Sequence, residues 1–228
     1  MELTKSYRLL DREGEKMKKF ELTAEYVTNI FGKKLFRIKA LVEFGNVKEG
    51  DLGGFVEKES NIDDDGNAWV AGNAQVFGNA KISGNAQVYG NAKVFGNAWI
   101  SGNAQIYGNA CVAGNVQISE NAQVYGNAWI SGNAQVYGNA CVAENLDYAI
   151  VGGFGSEQQT ITFFRQKDGS VGAKCRFFCR TLEEFREKVL ETHGESKYAR
   201  EYLMIADLIE LHFAGGCDGN DKDNHSCL

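Results

Sequence analysis

Proline is absent from this chain, and there is neither a long apolar run nor an excess of positive charge. Disordered low-complexity segments usually carry proline as well as glycine, so 27 glycines without proline indicate turns at a fixed spacing. The formal net charge of −6 provides no electrostatic attraction toward nucleic acid or an anionic membrane. No apolar run approaches the roughly 18 residues of a membrane span. We therefore expect neither nucleic acid nor a membrane as a partner.

The N-terminus and the cysteines favour a cytoplasmic protein. Residues 1–19 are charged and lack the apolar core of a secretory signal. The six cysteines are irregularly spaced, which is typical of reduced thiols in a cytosolic protein. Cys175 and Cys179 are one residue too far apart for a redox or zinc-knuckle pair, although residues four apart on one strand would face the same side. We expect no metal and no cofactor.

A period of six residues runs through the middle of the chain. Asparagine recurs at every sixth position from Asn61 to Asn145 without a slip. From Gly66 onward glycine precedes the asparagine, except at Glu120 and Glu144, and alanine nearly always follows it. Valine or isoleucine stands two residues after each alanine. The repeating unit is therefore Gly-Asn-Ala-x-Val-x.

This unit predicts a short strand followed by a corner. β-Branched residues fit a strand better than a helix, and a period of six does not match a helical turn. Alanine and valine are two residues apart, so both face one side of the strand, and Gly-Asn supplies the corner. Three such units close a triangular coil with alanine and valine inside. The run holds about five coils, stacked about 4.8 Å apart.

The spacing of Ala86 and Val88, repeated throughout the run, resembles that of hexapeptide-repeat proteins. The resemblance implies a left-handed parallel β-helix, and the handedness comes from the resemblance alone. We expect a mainly β protein in four segments. They are an N-terminal cap of strands with a charged leader over 1–60, the β-helix over 61–146, a small α+β module over 147–213 and a disordered tail over 214–228.

The flanking segments have their own patterns. In the cap, strands are predicted over 26–30 and 35–41, and in the C-terminal module over 148–151, 160–165 and 170–176. Thr181 and Glu184 form a capping box that predicts a helix ending near Thr192. A second helix is predicted over 196–213.

Outward-facing residues three repeats apart should stack in columns. Such ladders stabilise a solenoid, and an aromatic face can also bind a partner or another subunit. One predicted face carries two columns, which we take as the candidate interaction face: Gln87, Gln105 and Gln123 beside Tyr89, Tyr107 and Tyr125. The other two faces carry Phe77, Phe95, Ala113 and Ser131, and Ser83, Ser101, Ser119 and Tyr137. Trp69, Trp99 and Trp129 should fall on three different faces.

Segments 35–41 and 44–56, together with the Gly-Asn-Ala array, look like the YdcK-type proteins over residues of about 20–146. These are bacterial and phage hexapeptide-repeat proteins, often labelled transferases or polymer-forming proteins similar to cytoskeletal elements. The C-terminal module is similar to small domains of unknown function in phage and mobile-element proteins. A label inherited from the fold does not establish chemistry.

Hexapeptide acyltransferases typically use a histidine base near a loop extruded from the coils. Here the repeat contains no histidine and its register never slips; His193, His212 and His225 all follow it. We expect no catalytic residue. The favoured function is a non-catalytic structural or binding protein that self-associates, with a trimer favoured by the resemblance, or binds a protein partner. The alternatives are an acyltransferase using acyl-CoA and a phage factor that binds or sequesters a host component.

Overall fold

The computed structural model describes residues 18–214, and its centre is a parallel β-solenoid. Most of the predicted leader, the tail beyond Ala214 and His225 lie outside the described residues. No helix within the described range is long and apolar enough to cross a lipid bilayer. The predicted fold class is confirmed, with about five turns in the solenoid. Its handedness stays a prediction.

The solenoid strands are two residues long, and each ends in the valine or isoleucine of its repeat. They are β4 Trp69–Val70, β5 Gln75–Val76, β6 Lys81–Ile82, β7 Gln87–Val88, β8 Lys93–Val94, β9 Trp99–Ile100, β10 Gln105–Ile106, β11 Cys111–Val112, β12 Gln117–Ile118, β13 Gln123–Val124, β14 Trp129–Ile130, β15 Gln135–Val136 and β16 Cys141–Val142. Strands three repeats apart pair in parallel, as Gln105 does with both Gln87 and Gln123.

This pairing makes three faces, which we name by their outward columns. The tyrosine face consists of β4, β7, β10, β13 and β16. The phenylalanine face consists of β5, β8, β11 and β14, and the serine face of β6, β9, β12 and β15. The alanines and the β-branched residues of the repeat fill the interior, where they are at most 1 % exposed. The predicted core is confirmed.

The two corner residues have different roles. At the corners glycine takes the left-handed conformation, with φ of +64° at Gly102, whereas no repeat asparagine has a positive φ. The asparagines instead form ladders along the corners: the Nδ2 of Asn103 donates to the Oδ1 of Asn121 18 residues later, at 3.1 Å. Glycine therefore provides the left-handed conformation of the corner, whereas the asparagine amide links successive coils.

The N-terminal cap extends the phenylalanine face. Its strands are β1 Phe20–Thr28, β2 Lys34–Ala40 and β3 Leu52–Val56, and β3 pairs in parallel with β5. A 3₁₀ turn, Glu59–Asn61, leads into the first coil. β1 begins well before the predicted strand at 26–30, because Phe20 and its neighbours pair with β2.

Lys19 closes the N-terminal end of the solenoid. Its side chain is 1 % exposed, and its ammonium donates to the carbonyl of Asp63 at 2.7 Å and to that of Ala68 at 3.0 Å. The ammonium also lies 4.8 Å from the centre of the Phe44 ring. Unpaired carbonyls at the end of a sheet would be open to other chains, and these hydrogen bonds occupy them.

The C-terminal module closes the other end. A 3₁₀ turn, Asn145–Asp147, leads into four antiparallel strands and two helices: β17 Tyr148–Phe154, β18 Gln159–Arg165, β19 Val171–Cys175, β20 Phe178–Thr181, α1 Leu182–His193 and α2 Lys197–Ala214. Phe164 of β18 lies in the solenoid core at 1 % exposure. The backbone N–H of Gln135 donates to the Thr162 hydroxyl at 2.9 Å, and that of Trp129 to Asn145 Oδ1 at 2.7 Å.

The hairpin of β19 and β20 corrects one expectation from the sequence. A turn at Arg176 and Phe177 follows Cys175, which pairs with Phe178, while Cys179 pairs with Lys174. The two cysteines therefore lie on neighbouring strands and do not share one strand face. Cys175 packs against the core of the module, and Cys179 against the core of the solenoid. β20 itself was missed, whereas the capping box that opens α1 is confirmed.

Glu120 is strained, and relieving it should stabilise the protein. It stands where other repeats have glycine, with φ of +60°. A left-handed conformation costs a non-glycine residue about 1–2 kcal/mol, so Glu120→Gly should raise the free energy of unfolding by about 1 kcal/mol in urea titrations. The matched control is Glu144→Gly, because Glu144 also precedes a repeat asparagine but has φ of −138°. An equal increase in the free energy of unfolding in both variants would contradict backbone strain at Glu120.

Candidate interaction surface

The six predicted residues lie on the tyrosine face in two adjoining columns. The rings of Tyr89 and Tyr107 stack with centroids 4.9 Å apart and planes parallel, and those of Tyr107 and Tyr125 follow at 5.0 Å. All three tyrosines are partly exposed. Their spacing follows that of the coils, so each ring meets the next without distorting the backbone.

Side-chain hydrogen bonds hold members of both columns in place. The hydroxyl of Tyr89 donates to Gln105 Oε1 at 3.4 Å, and Gln87 Nε2 donates to the carbonyl of Asn67 at 2.7 Å. Below Gln123 the column ends in Cys141, whose sulfur lies 3.4 Å from the Tyr125 hydroxyl. Together with the ring stacking, these bonds restrain the side chains of Gln87, Tyr89 and Tyr125.

The tyrosine face is uncharged at neutral pH. Burial raises the pKa of Tyr89 and that of Tyr107. The hydrogen bond with Cys141, with burial as a second cause, raises the pKa of Tyr125 to about 12. Each shift favours the neutral phenol, because the charged form is less well solvated between stacked rings.

The phenylalanine face is partly covered by the N-terminal cap. Phe77 and Phe95 stack at 4.8 Å, and Phe31 lies over them at 6.0 and 6.1 Å. Phe31 belongs to the turn between β1 and β2. A groove of about 540 Å³ continues from there along the face to Trp129. The sequence predicted the column but not Phe31, because that contact depends on how the hairpin folds back.

The serine face carries more varied groups. The indole of Trp99 donates to the Ser83 hydroxyl at 3.0 Å, and the Tyr137 hydroxyl donates to Gln117 Oε1 at 2.8 Å. From the C-terminal module, the ammonium of Lys174 lies 4.9 Å from the centre of the Tyr137 ring. The C-terminal module therefore reaches this face.

The three tryptophans lie on three different faces, as predicted. Their environments differ, however. Trp69 is 4 % exposed because Phe20 and Phe44 of the cap pack against it, whereas Trp129 is 56 % exposed. A tryptophan at the same repeat position is thus a core residue under the cap and a surface residue farther along.

A second cavity, of about 290 Å³, lies within the C-terminal module. Cys175, His193 and Tyr202 line it together with apolar side chains. Burial raises the pKa of Cys175, which favours the thiol over the nucleophilic thiolate. The ring of His193 packs against Tyr202 at 5.5 Å. Among residues 18–214, no three metal-binding side chains come together.

Comparison with known protein families gives a match to part of the solenoid. A family profile described as the YdcK beta solenoid repeat matches residues 86–102, 104–120 and 122–138. Residues 86–138 of the central solenoid are therefore similar to YdcK-type repeats. Each matched segment begins one coil after the previous one, and the matches lie outside both flanking modules. A search of curated proteins found no significant match.

The ladder of Tyr89, Tyr107 and Tyr125 should make the stability of the protein fall at alkaline pH. The unfolded chain loses tyrosine protons near pH 10.0, whereas folded Tyr125 keeps its proton to about 12. Stability present below pH 10 is therefore lost as the pH rises toward 12. Denaturation midpoints measured at several pH values should fall less steeply in a Tyr89→Phe, Tyr107→Phe, Tyr125→Phe variant, which keeps the stacked rings.

Exposed tyrosines provide the control for this pH dependence. Tyr26 and Tyr198 are 48 % and 42 % exposed and lie outside the ladder. Changing both to phenylalanine should leave the alkaline loss of stability as it is in the wild type. If this control flattened the profile as much as the ladder variant does, the loss would not come from the ladder.

Proposed function

We propose that this YdcK-type solenoid is a non-catalytic scaffold that self-associates through its tyrosine face. The observation that carries the proposal is the ladder of Tyr89, Tyr107 and Tyr125, a rigid, neutral and partly exposed aromatic column. Tyrosine is enriched at protein interfaces because it presents a large apolar surface with a polar end. Side chains that are already fixed lose little further entropy when they pack against a partner.

The flanking modules support the choice of face. The cap places Phe31 over the phenylalanine face, and the C-terminal module places Lys174 against Tyr137 of the serine face. On the tyrosine face the cap covers Trp69, which pairs with Gln87 at the head of the glutamine column. Among residues 18–214, the tyrosine face thus keeps a ladder of three stacked, partly exposed tyrosines.

Both ends of the solenoid are closed, which supports association through one of its faces. Lys19 occupies carbonyls at the N-terminal end, and Phe164 enters the core at the C-terminal end. End-to-end stacking of two solenoids would have to displace these groups, whereas contact through a side displaces nothing. The resemblance to hexapeptide-repeat proteins favours three copies.

The test of this proposal is a change of charge at the centre of the face. Gln105→Arg should lower the molar mass measured by light scattering toward that of the 25.1 kDa monomer, because an unpaired charge would be buried in the contact. The matched control is Gln117→Arg on the serine face, since each glutamine accepts a hydrogen bond from a tyrosine. Replacing Tyr89, Tyr107 and Tyr125 with serine should have the same effect as Gln105→Arg.

Circular dichroism of each variant checks that the solenoid remains folded. A wild-type protein that is strictly monomeric at high concentration would contradict self-association. An equal loss of mass in the Gln105 and Gln117 variants would contradict the choice of the tyrosine face.

The alternative function, an acyltransferase using acyl-CoA, makes a different prediction. Within residues 18–214 the histidines are His193 of α1 and His212 of α2, and both belong to the C-terminal module. A non-catalytic scaffold is not expected to bind coenzyme A. Calorimetry with millimolar CoA should therefore give no saturable heat, and a saturable binding curve would support the transferase instead.

A further inference from the structure

The phenylalanine column stops halfway along its face. Phe77 and Phe95 stack with planes 3° apart, but the next two positions are Ala113 and Ser131. The backbone continues in register, since Val112 pairs with Ile130 and the Ala113 N–H donates to the Ile130 carbonyl at 2.9 Å. The coils therefore continue while the rings do not, which leaves a slot beside the ring of Phe95.

This slot lies within the groove of about 540 Å³, whose walls are mainly apolar. Ile30 and Phe31 of the hairpin form one end, and Trp129 lies at the other. Ile30 is 85 % exposed and Phe31 is 60 % exposed. A concentration of exposed large apolar side chains in one groove indicates a binding site. Its volume falls within the roughly 300–1,000 Å³ of small-molecule sites.

One cation lies in the groove. Lys93 is exposed and precedes Val94 of β8, and it pairs across the strands with Cys111. No aspartate or glutamate of the described part of the chain, residues 18–214, lines the groove. Within residues 18–214, the other lysine of the repeat, Lys81, pairs with Asp63, whereas Lys93 has no ion-pair partner. A single unpaired cation beside an apolar slot selects a ligand with one negative group.

We propose that this groove binds a small planar aromatic anion. Its ring stacks on Phe95 over Ala113, in the place of the missing side chain, and its acidic group pairs with Lys93. The spacing of the ladder favours a flat ring, because Phe77 and Phe95 repeat at 4.8 Å and a ring over Ala113 would continue the series. The charge favours an anion, because Lys93 is the cation of the groove.

The test is calorimetric titration of the full chain with 2-naphthoate. We expect saturable binding, weaker binding of the neutral 2-naphthylmethanol, and weaker binding of cyclohexanecarboxylate, which has the charge but no flat ring. Lys93→Gln should weaken 2-naphthoate binding by roughly fivefold. Unchanged affinity in this variant, or equal affinity for the three compounds, would overturn the proposal.

Two matched variants distinguish the filling of the slot from the general effect of adding a phenylalanine to the solenoid surface. Ala113→Phe continues the phenylalanine stack and fills the slot, so it should abolish binding while the protein stays folded. Ser101→Phe adds the same ring at the equivalent repeat position on the serine face and should leave binding unchanged. Equal loss in both variants, or no saturable binding by the wild type, would overturn the proposal.

Binding of 2-naphthoate should not depend on self-association, because the groove and the tyrosine ladder lie on different faces. Light scattering of Ala113→Phe should give the wild-type mass. A lower mass would mean that a second copy of the chain occupies the groove, which would overturn the small-molecule assignment. Loss of self-association in Gln105→Arg with 2-naphthoate binding retained would leave this inference intact.

Discussion

The close approach of successive coils at their corners is the constraint on which the rest of this structure depends. A Cβ placed on Gly84 would lie 3.1 Å from the backbone nitrogen and oxygen of Gly102, and one on Gly102 would lie 2.6 Å from the nitrogen of Glu120. Contacts this short mean that each coil lies directly on the next at these corners. Equivalent residues 18 apart then meet, as the linked amides of Asn85 and Asn103 do at 3.0 Å. The outward columns follow from the same geometry.

Stacking converts a repetitive sequence into surfaces that differ from one another. A single substitution at an outward position changes one rung of one column and leaves the backbone as it was. Ala113 after Phe95 opens a groove in this way, and Cys141 below Gln123 changes the environment of Tyr125. The closed ends, at Lys19 and Phe164, leave these long faces as the surfaces on which function can vary.

The sequence periodicity predicted the features that recur in every repeat, but it missed contacts that occur only once in the structure. The inward alanines, the columns headed by Gln87 and Tyr89 and the distribution of the tryptophans follow from the period of six. The burial of Lys19, the position of Phe31 over Phe77 and the strand β20 depend on contacts between distant segments, which leave no local pattern. The candidate tyrosine face was therefore predicted from sequence, whereas the groove required the folded hairpin.

Deletion of whole coils tests the central claim most directly. Residues 91–108 form one complete coil, since Asn91 and Asn109 occupy equivalent positions 18 residues apart. Removing them joins Gly90 to Asn109 and should leave a shorter solenoid that still unfolds cooperatively in urea. Removing only residues 91–93 shifts the corner residues into strand positions and should abolish that transition. A three-residue deletion that is as stable as the eighteen-residue deletion would contradict the account.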